Sequence, residues 1–167
     1  MHEQYPGTYI QTHLSENKDE INSTLSLYPD CQDYLEVYER AGLVTDRSVF
    51  GHCIHLSDSE CRRLAEAGSV IAHCPTSNLF LGSGLFDILQ ANRVGMQTVL
   101  ATDVGAGTSF SLLRTMGEAY KVQQLNGYPM SVFESLYKCT LGAAKALHLD
   151  DEIGCFGKGR KAVSYTH

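Results

Sequence analysis

Four short runs of apolar residues alternate along the chain with longer amphipathic stretches. The runs occupy residues 9–13, 48–52, 69–73 and 98–103. Each run is rich in β-branched or aromatic residues and too short for a helix, which favours a strand buried on both faces. The pattern therefore predicts four strands separated by segments of helical periodicity.

The stretches between the runs carry the capping residues of helices. Ser57 and Glu60 have the spacing of a capping box, and so do Ser131 and Glu134 ahead of a helix expected to reach about residue 147. Other helices are predicted over residues 16–27, around 34–38, around 85–89 and from about residue 108. The apolar stripe expected on the helix after residue 108 is Leu112, Leu113, Met116, Ala119 and Tyr120. Alternating strands and helices predict an α/β fold with a parallel sheet.

An ionisable residue stands at the end of each predicted strand: His13, His52, His73 and Asp103. Catalytic groups of a (β/α)8 barrel occupy the C-terminal ends of its strands. The separations of 39, 21 and 30 residues between the four positions bracket the length of one βα unit, about 30 residues. Because a complete barrel typically needs about 250 residues, the 167 residues of this chain predict half of a (β/α)8 TIM-like barrel.

Each of these residues also has a structural interpretation. A single histidine at a strand end is more often a hydrogen-bonding residue than a ligand, and an aspartate in the position of Asp103 frequently caps the next helix. Glu16 follows His13 by three residues and would lie at the same edge, or would serve as a first-turn acid that complements a helix dipole. Convergence of four such groups on one edge of a sheet favours the functional interpretation.

The composition narrows the classes of partner. The formal net charge is −6 and the 13 basic residues are scattered, which argues against a nucleic-acid partner because phosphate binding needs clustered Lys and Arg. No segment has the length of a signal-peptide core or a membrane span. The six cysteines include no C-x-x-C pair, so reduced thiols and a cytoplasmic location are expected, and a cytidine-deaminase type of zinc site is excluded.

Four segments around the strand ends resemble those of guanine deaminases, a family of the amidohydrolase superfamily. Residues 11–21 (QTHLSENKDEI) are similar to the strand-five metal segment of that family. Residues 51–53 (GHC), 73–84 (HCPTSNLFLGSG) and 101–109 (ATDVGAGTS) are similar to its segments at strands six, seven and eight. HCPTSN alone is shared with other deaminases and chlorohydrolases, whereas its combination with HLSEN and DVGAGT is more specific. The similarity extends from about residue 5 to residue 156.

The resemblance implies a barrel of amidohydrolase type that holds one zinc ion per complete active site and hydrolyses guanine to xanthine and ammonia. His13 and Asp103 would be the zinc ligands, and the metal would lower the pKa of its bound water towards about 7. Asp103 would accept the proton of that water, and Glu16 would protonate a purine ring nitrogen and then the departing ammonia. His52 would orient the water and stabilise the oxygen of the tetrahedral intermediate. These four residues would all contact the substrate, and His73 would belong to the pocket wall or support it from behind.

Two elements of that family are not found in the sequence: the His-x-His pair of its first strand and its substrate-clamping arginine. The expectation is therefore that this chain alone binds zinc weakly and does not turn over guanine, while full-length relatives form homodimers. Residues 1–156 are predicted to form a partial metal-dependent hydrolase barrel. Residues 157–167 are predicted to be a truncated, divergent tail, because Val163 stands where the family's Gly-Lys-x-Ala-Asp element has aspartate.

Two alternatives to a guanine deaminase fragment stay open at this point. The chain could belong to another deaminase or chlorohydrolase of the same superfamily, since these share the HCPTSN element. It could also be a non-catalytic remnant that acts as an interaction module. Substrate assays on a full-length relative address the first alternative, and the zinc content of the chain addresses the second.

Overall fold

The computed structural model describes residue 5 and residues 7–161, so residues 162–167 of the predicted tail lie outside the described residues. The four strands are β1 (Ile10–Leu14), β2 (Ser48–His52), β3 (Val70–His73) and β4 (Gln97–Leu100). They form one sheet in the order β1-β2-β3-β4, and each neighbouring pair is parallel. A parallel sheet with helices between successive strands has the architecture of half a (β/α)8 barrel, which confirms the predicted fold class.

Eight helices connect and flank the strands in the described part of the chain. In order they are α1 (Lys18–Leu27), α2 (Tyr34–Arg40), α3 (Asp58–Glu66), α4 (Pro75–Leu81), α5 (Ile88–Arg93), α6 (Leu112–Leu125), α7 (Val132–Cys139) and α8 (Leu141–Ala146). None of these helices combines the length and hydropathy needed to cross a bilayer. The helix predicted after residue 131 is divided at Thr140, and the sequence pattern does not predict α4.

Two strands depart from their predicted character. β1 buries Leu14 but exposes Gln11 and His13, so the prediction of burial on both faces is wrong for this strand. β4 ends at Leu100, which leaves Asp103 in the following loop rather than at the strand end. β2 and β3 have the predicted character, because all of their residues except the half-buried Val49 are buried.

Helix capping agrees with the sequence prediction at α3 and departs from it at α7. The Ser57 side chain accepts the Glu60 N–H, and Glu60 Oε2 accepts the Ser57 N–H at 2.8 Å, which completes a capping box. Ser131 Oγ accepts the Glu134 N–H at 3.0 Å. The Glu134 carboxylate, however, accepts the Tyr128 hydroxyl at 2.8 Å. The second predicted capping box is therefore only half formed.

The stripe predicted for α6 is also largely wrong. This helix buries Thr115, Ala119, Val122 and Gln123, whereas Leu113 of the predicted stripe is 74% exposed. The amide of Gln123 explains why a polar residue occupies the buried face. Its Nε2 donates to the Phe86 carbonyl at 2.9 Å, so the side chain is satisfied inside the core.

The larger hydrophobic core lies between one face of the sheet and the helices. Phe50 and Ile71 are paired in register on neighbouring strands, and both are buried in this core with Leu100, Leu35 and Leu64. Residues of opposite parity on the strands form a smaller cluster on the other face of the sheet, with Ala146 of α8. Packing on both faces fixes the strands and therefore the positions of the loops at their C-terminal ends.

Candidate active site

The loops after β1 and β2 are tied together by continuing backbone hydrogen bonds. His13 lies opposite Gly51 and Leu14 lies opposite His52 in the parallel register. Beyond the strands, the Cys53 N–H donates to the Leu14 carbonyl at 2.9 Å. The His55 N–H then donates to the Ser15 carbonyl at 3.1 Å and joins the two loops. The segment that contains Glu16 is therefore held beside the end of β2.

Several residues at these strand ends have left-handed backbone conformations. The φ angles are +49° at Ser15, +68° at His52, +53° at Cys53 and +47° at Asp103. This region costs a residue with a side chain about 1–2 kcal/mol, and such costs concentrate at functional sites. His52 and Asp103 are predicted site residues, and Cys53 directly follows His52. The strained backbone therefore lies at the sheet edge where the site was predicted.

A compact turn carries Asp103 beyond the end of β4. The Ala101 N–H still donates to the His73 carbonyl at 3.0 Å, and the chain then turns so that the Gly107 N–H donates to the Asp103 carbonyl at 2.5 Å. A Cβ added at Gly107 would lie 2.8 Å from that carbonyl oxygen and closer still to the Thr102 carbonyl. Only glycine fits this turn, which orients the Asp103 carboxylate towards the neighbouring strand ends.

His52 lies between two carboxylates at this edge. Its Nε2 is 3.6 Å from Glu16 Oε2 and 3.9 Å from Asp103 Oδ2. The His13 ring is tilted against the His52 ring with a centroid separation of 5.2 Å. The structure thus brings together all four residues that the sequence assigned to catalysis, substrate binding or metal binding.

The His52 imidazole is buried and held from behind by an amide. Only 2% of the residue is exposed, and Asn78 Nδ2 donates to His52 Nδ1 at 2.8 Å. Burial lowers the pKa of His52 below its ordinary value, and the facing Glu16 and Asp103 carboxylates offset this only in part. A lowered pKa keeps the ring neutral at neutral pH.

Glu16 is oriented by a serine from another loop. Ser83 Oγ donates to Glu16 Oε1 at 2.9 Å, which leaves Oε2 on the side of His52. The first turn of α1 is capped independently, because Asn17 and Glu20 form a complete capping box. Glu16 therefore precedes the helix, and capping does not occupy its carboxylate. An open cleft beside it is lined by Glu16, Asn17, Lys18, Asp19, Leu81, Gly82 and Ser83.

The structure does not bring His73 into this group of side chains. Its ring is 1% exposed and stacks on Phe86 with a centroid separation of 4.8 Å. Burial, with smaller contributions from Lys138 and His52, lowers the pKa of His73 to about 3. Neither ring nitrogen has a hydrogen-bond partner among the described residues. This position agrees with a supporting role behind the site rather than with a metal ligand.

Two residues that hold the site side chains escaped sequence reasoning. Asn78 and Ser83 both belong to the HCPTSNLFLGSG segment, and the resemblance to the family assigns no role to these two residues. Ser77 and Asn78 are fully or almost fully buried although they are polar. A polar run with no apolar periodicity directly after a buried strand was the signal that could have found them.

The donor set of the site fits a zinc ion. One ligand atom from each of His13, His52 and Asp103 lies within 4.8 Å of the other two. Zinc binds imidazole nitrogen and carboxylate oxygen at about 2.0–2.2 Å, so two ligand atoms on one ion are at most about 4 Å apart. The separation of 3.9 Å between His52 Nε2 and Asp103 Oδ2 is already within that reach. The ligand atoms of His13 and Asp103, the two predicted zinc ligands, lie within 4.8 Å of each other.

The chain is similar to guanine deaminases over almost its whole length. It is 53% identical over 160 residues to the guanine deaminase of Escherichia coli strain K12, covering 96% of this chain and 36% of that protein. The structure of E. coli guanine deaminase matches with a TM-score of 0.94 over 96% of this chain and 38% of that chain. Guanine deaminase from C. acetobutylicum, with guanine bound in its active site, matches at 32% identity and a TM-score of 0.84, covering 95% of this chain and 39% of that chain.

A further structural neighbour contains the metal. The adenosine deaminase from Xanthomonas campestris with bound zinc is 27% identical and has a TM-score of 0.87, covering 96% of this chain and 37% of that chain. The chain spans between a third and two fifths of the length of these relatives. The similarity confirms the resemblance that the sequence motifs indicated. The Amidohydrolase family itself matches residues 2–163. The chain therefore belongs to the amidohydrolase family.

Proposed function

We propose that this chain supplies the strand-five to strand-eight part of a zinc-dependent guanine deaminase, which hydrolyses guanine to xanthine and ammonia. The observation that carries the proposal is the position of His52 Nε2, 3.6 Å from the Glu16 carboxylate and 3.9 Å from the Asp103 carboxylate. This geometry supports an acid–base reaction in which two carboxylates and an imidazole surround one reacting centre. The 53% identity to the E. coli guanine deaminase supports guanine as the substrate.

His13 and Asp103 are the proposed zinc ligands from this chain, with one ion per complete site. Bound zinc would supply Lewis acidity and would lower the pKa of a coordinated water towards about 7. A catalytic zinc normally has three protein ligands, so two ligands alone should give weak binding. We therefore propose that the 167-residue chain needs further donors for tight zinc binding and for turnover of guanine.

The chain's own side chains divide the proton transfers of the reaction. Asp103 accepts the proton of the attacking water as its oxygen bonds to C2 of guanine. Glu16, fixed by Ser83, protonates a ring nitrogen beside C2, then removes the proton of the new C2 hydroxyl group and transfers it to the amino group, which leaves as ammonia when the C2–N bond breaks. The water proton held by Asp103 then restores protonated Glu16. His52 orients the water and stabilises the charge that develops on its oxygen. The C2 oxygen becomes a carbonyl group of xanthine.

The test is a chimera in which residues 7–161 replace the matching segment of the E. coli guanine deaminase. We expect the zinc-loaded chimera to release ammonia from guanine and not from adenosine derivatives or aminotriazines. Glu16→Gln in the chimera should lower kcat/KM at least about 100-fold, because it removes the proton donor and acceptor. The matched control is Glu36→Gln, the same chemical change on α2 at a residue that pairs with Arg40 away from the site.

Three outcomes would contradict this proposal. A folded, zinc-loaded chimera that leaves guanine unchanged but deaminates another purine or dechlorinates a triazine would assign the chain to another branch of the family. Stoichiometric, tight zinc in the purified 167-residue chain would contradict the need for further donors. If the chimera binds neither zinc nor guanine although it is folded, the non-catalytic interpretation replaces the enzymatic one.

We further propose a cytoplasmic homodimer as the state of the whole enzyme, and a barrel part formed by residues 1–156 followed by a separate tail. All six cysteines are free thiols, which suits a reducing compartment. The described part of the tail folds back onto Glu152, whose carbonyl accepts the Lys161 N–H at 2.8 Å. Light scattering on the chimera checks the dimer, and limited proteolysis of the chain checks the boundary near residue 156.

A further inference from the structure

Two arrangements of His52 are compatible with the positions of its neighbours. Its Nε2 could be a third zinc ligand, since one ligand atom each of His13, His52 and Asp103 lies within 4.8 Å of the others. Alternatively, Nε2 could carry a proton and act as a hydrogen-bond donor. These arrangements require opposite tautomers of the imidazole, because a protonated nitrogen has no free lone pair for a metal. The tautomer is therefore a functional property of the site.

We infer that Asn78 is a positioning residue that fixes His52 in the tautomer with the proton on Nε2, so that His52 donates a hydrogen bond into the site instead of binding the metal. The inference rests on the 2.8 Å contact between Asn78 Nδ2 and His52 Nδ1. An amide nitrogen carries two hydrogens and only donates, so His52 Nδ1 must accept and the ring proton must be on Nε2.

The groups on the other side of the ring select the same tautomer. Nε2 faces Glu16 Oε2 at 3.6 Å and Asp103 Oδ2 at 3.9 Å. An N–H group directed at two carboxylate oxygens is favourable, whereas a lone pair in that place would face negative charge. The opposite orientation of the Asn78 amide would put Oδ1 against Nδ1 and force this unfavourable arrangement. Both ends of the imidazole therefore agree on one orientation of the amide.

Asn78 is buried with a hydrogen-bonded backbone, while its side-chain Oδ1 has no hydrogen-bond partner among the described residues. The residue is 1% exposed, and its N–H donates to the Cys74 carbonyl at 3.0 Å. Its own carbonyl accepts the Gly82 N–H that caps α4 and the Ser83 N–H at 2.9 Å. The same residue thus fixes the tautomer of His52 through its side chain and positions Ser83, which orients Glu16, through its backbone.

This inference deepens the proposed function and rests on it for the role of His52, but its test needs neither metal nor substrate. Long-range ¹H–¹⁵N NMR spectra of the histidine-labelled 167-residue protein report which ring nitrogen carries the proton. They should be recorded above the ordinary histidine pKa of about 6.5, with the His52 signals assigned from their loss in His52→Gln. We expect Nε2 in the protonated range and Nδ1 in the unprotonated range.

Asn78→Asp tests the cause, because a carboxylate of nearly the same shape can only accept. We expect Nδ1 of His52 to become protonated in this variant, and Nε2 to keep its proton because it still faces the Glu16 and Asp103 carboxylates. Asn126→Asp is the matched control: its amide Nδ2 also donates a 2.8 Å bond, to the Phe86 carbonyl, and the change should leave the His52 tautomer as in the parent protein. If Asn78→Asp fails to fold, Asn78→Ala removes the donor and should give exchange-averaged signals from two tautomers.

Either of two NMR results would overturn the inference. A His52 proton found on Nδ1 in the parent protein, or a tautomer unchanged in Asn78→Asp and Asn78→Ala, would show that Asn78 does not set it. Failure of the chimera to deaminate guanine would leave the tautomer result intact, so the two proposals fail separately. A functional consequence can then be read from the chimera, in which Asn78→Asp should lower kcat far more than it changes the amount of folded protein.

Discussion

Replacement of Phe50 by alanine tests the packing that holds the site-bearing strands. Phe50 is fully buried in the centre of β2, and its ring packs against Tyr38 with a centroid separation of 5.7 Å. Truncation of a buried phenylalanine removes its transfer free energy and leaves a cavity, which together cost about 3–5 kcal/mol of the free energy of unfolding. For a chain of this size, each kcal/mol lowers Tm by about 2–4 °C. We therefore expect Phe50→Ala to lower Tm by roughly 6–20 °C.

The matched control is Phe133→Ala on α7, where the same side chain is 82% exposed. Burying a whole phenylalanine side chain contributes about 1.5–3 kcal/mol, so its small covered fraction should contribute at most about 0.5 kcal/mol. Urea unfolding followed by circular dichroism measures both variants, with an unchanged m-value as the sign that only stability has changed. Equal losses in the two variants would refute the burial of Phe50 in the core.

Three further predictions concern the loops and the pH dependence. Gly107→Ala should displace the turn that carries Asp103 and weaken zinc binding of the chimera by more than about 100-fold, because changes to residues behind the metal ligands already cost about 10–100-fold in affinity. The control is Gly117→Ala on the exposed face of α6, where a Cβ meets open space. This change should raise the stability of the chain by up to about 1 kcal/mol. Lowering the pH below about 6.5 should destabilise the chain, because His73 with its pKa of about 3 stays neutral in the folded protein but is protonated in the unfolded protein. His73→Gln should flatten the profile of Tm against pH below about 6.5. An unchanged slope would contradict the burial of this ring. Ser57→Ala should cost about 1 kcal/mol of stability by removing the capping box of α3, a loss that chemical denaturation resolves and that a double mutant with Glu60→Gln should show to be non-additive.

The amino-acid pattern predicts the sheet well because burial and strand periodicity are local properties. β2 was predicted over residues 48–52 and has those bounds, and the parallel order follows from the alternation of strands and helices. The end of β4 was misplaced because the course of the chain there depends on Gly107, which closes the turn four residues after Asp103. A turn set by a backbone contact leaves no periodic signal in the sequence.

The segment after β3 shows the same limit for the candidate site. α4 begins at Pro75 and buries Thr76, Ser77 and Asn78, so its inward face is polar and hydrophobic periodicity cannot reveal it. The strand-end positions of His13 and His52 could be predicted because barrel strands present such residues at one edge. The hydrogen bonds that set the orientation of these side chains connect residues 26 to 67 positions apart. Only the three-dimensional structure identifies such pairs.

At the position of Asp103, the positive φ angle favours glycine for stability, whereas the proposed reaction requires a carboxylate. Asp103 adopts φ +47° with a partly exposed side chain, so its loss opens no buried cavity, while glycine accepts this conformation without steric penalty. Asp103→Gly should therefore abolish metal binding and leave the stability of the chain unchanged or slightly raised. In a gene copy freed from selection for activity, this carboxylate could be lost early, and the encoded protein would persist as a folded but inert descendant.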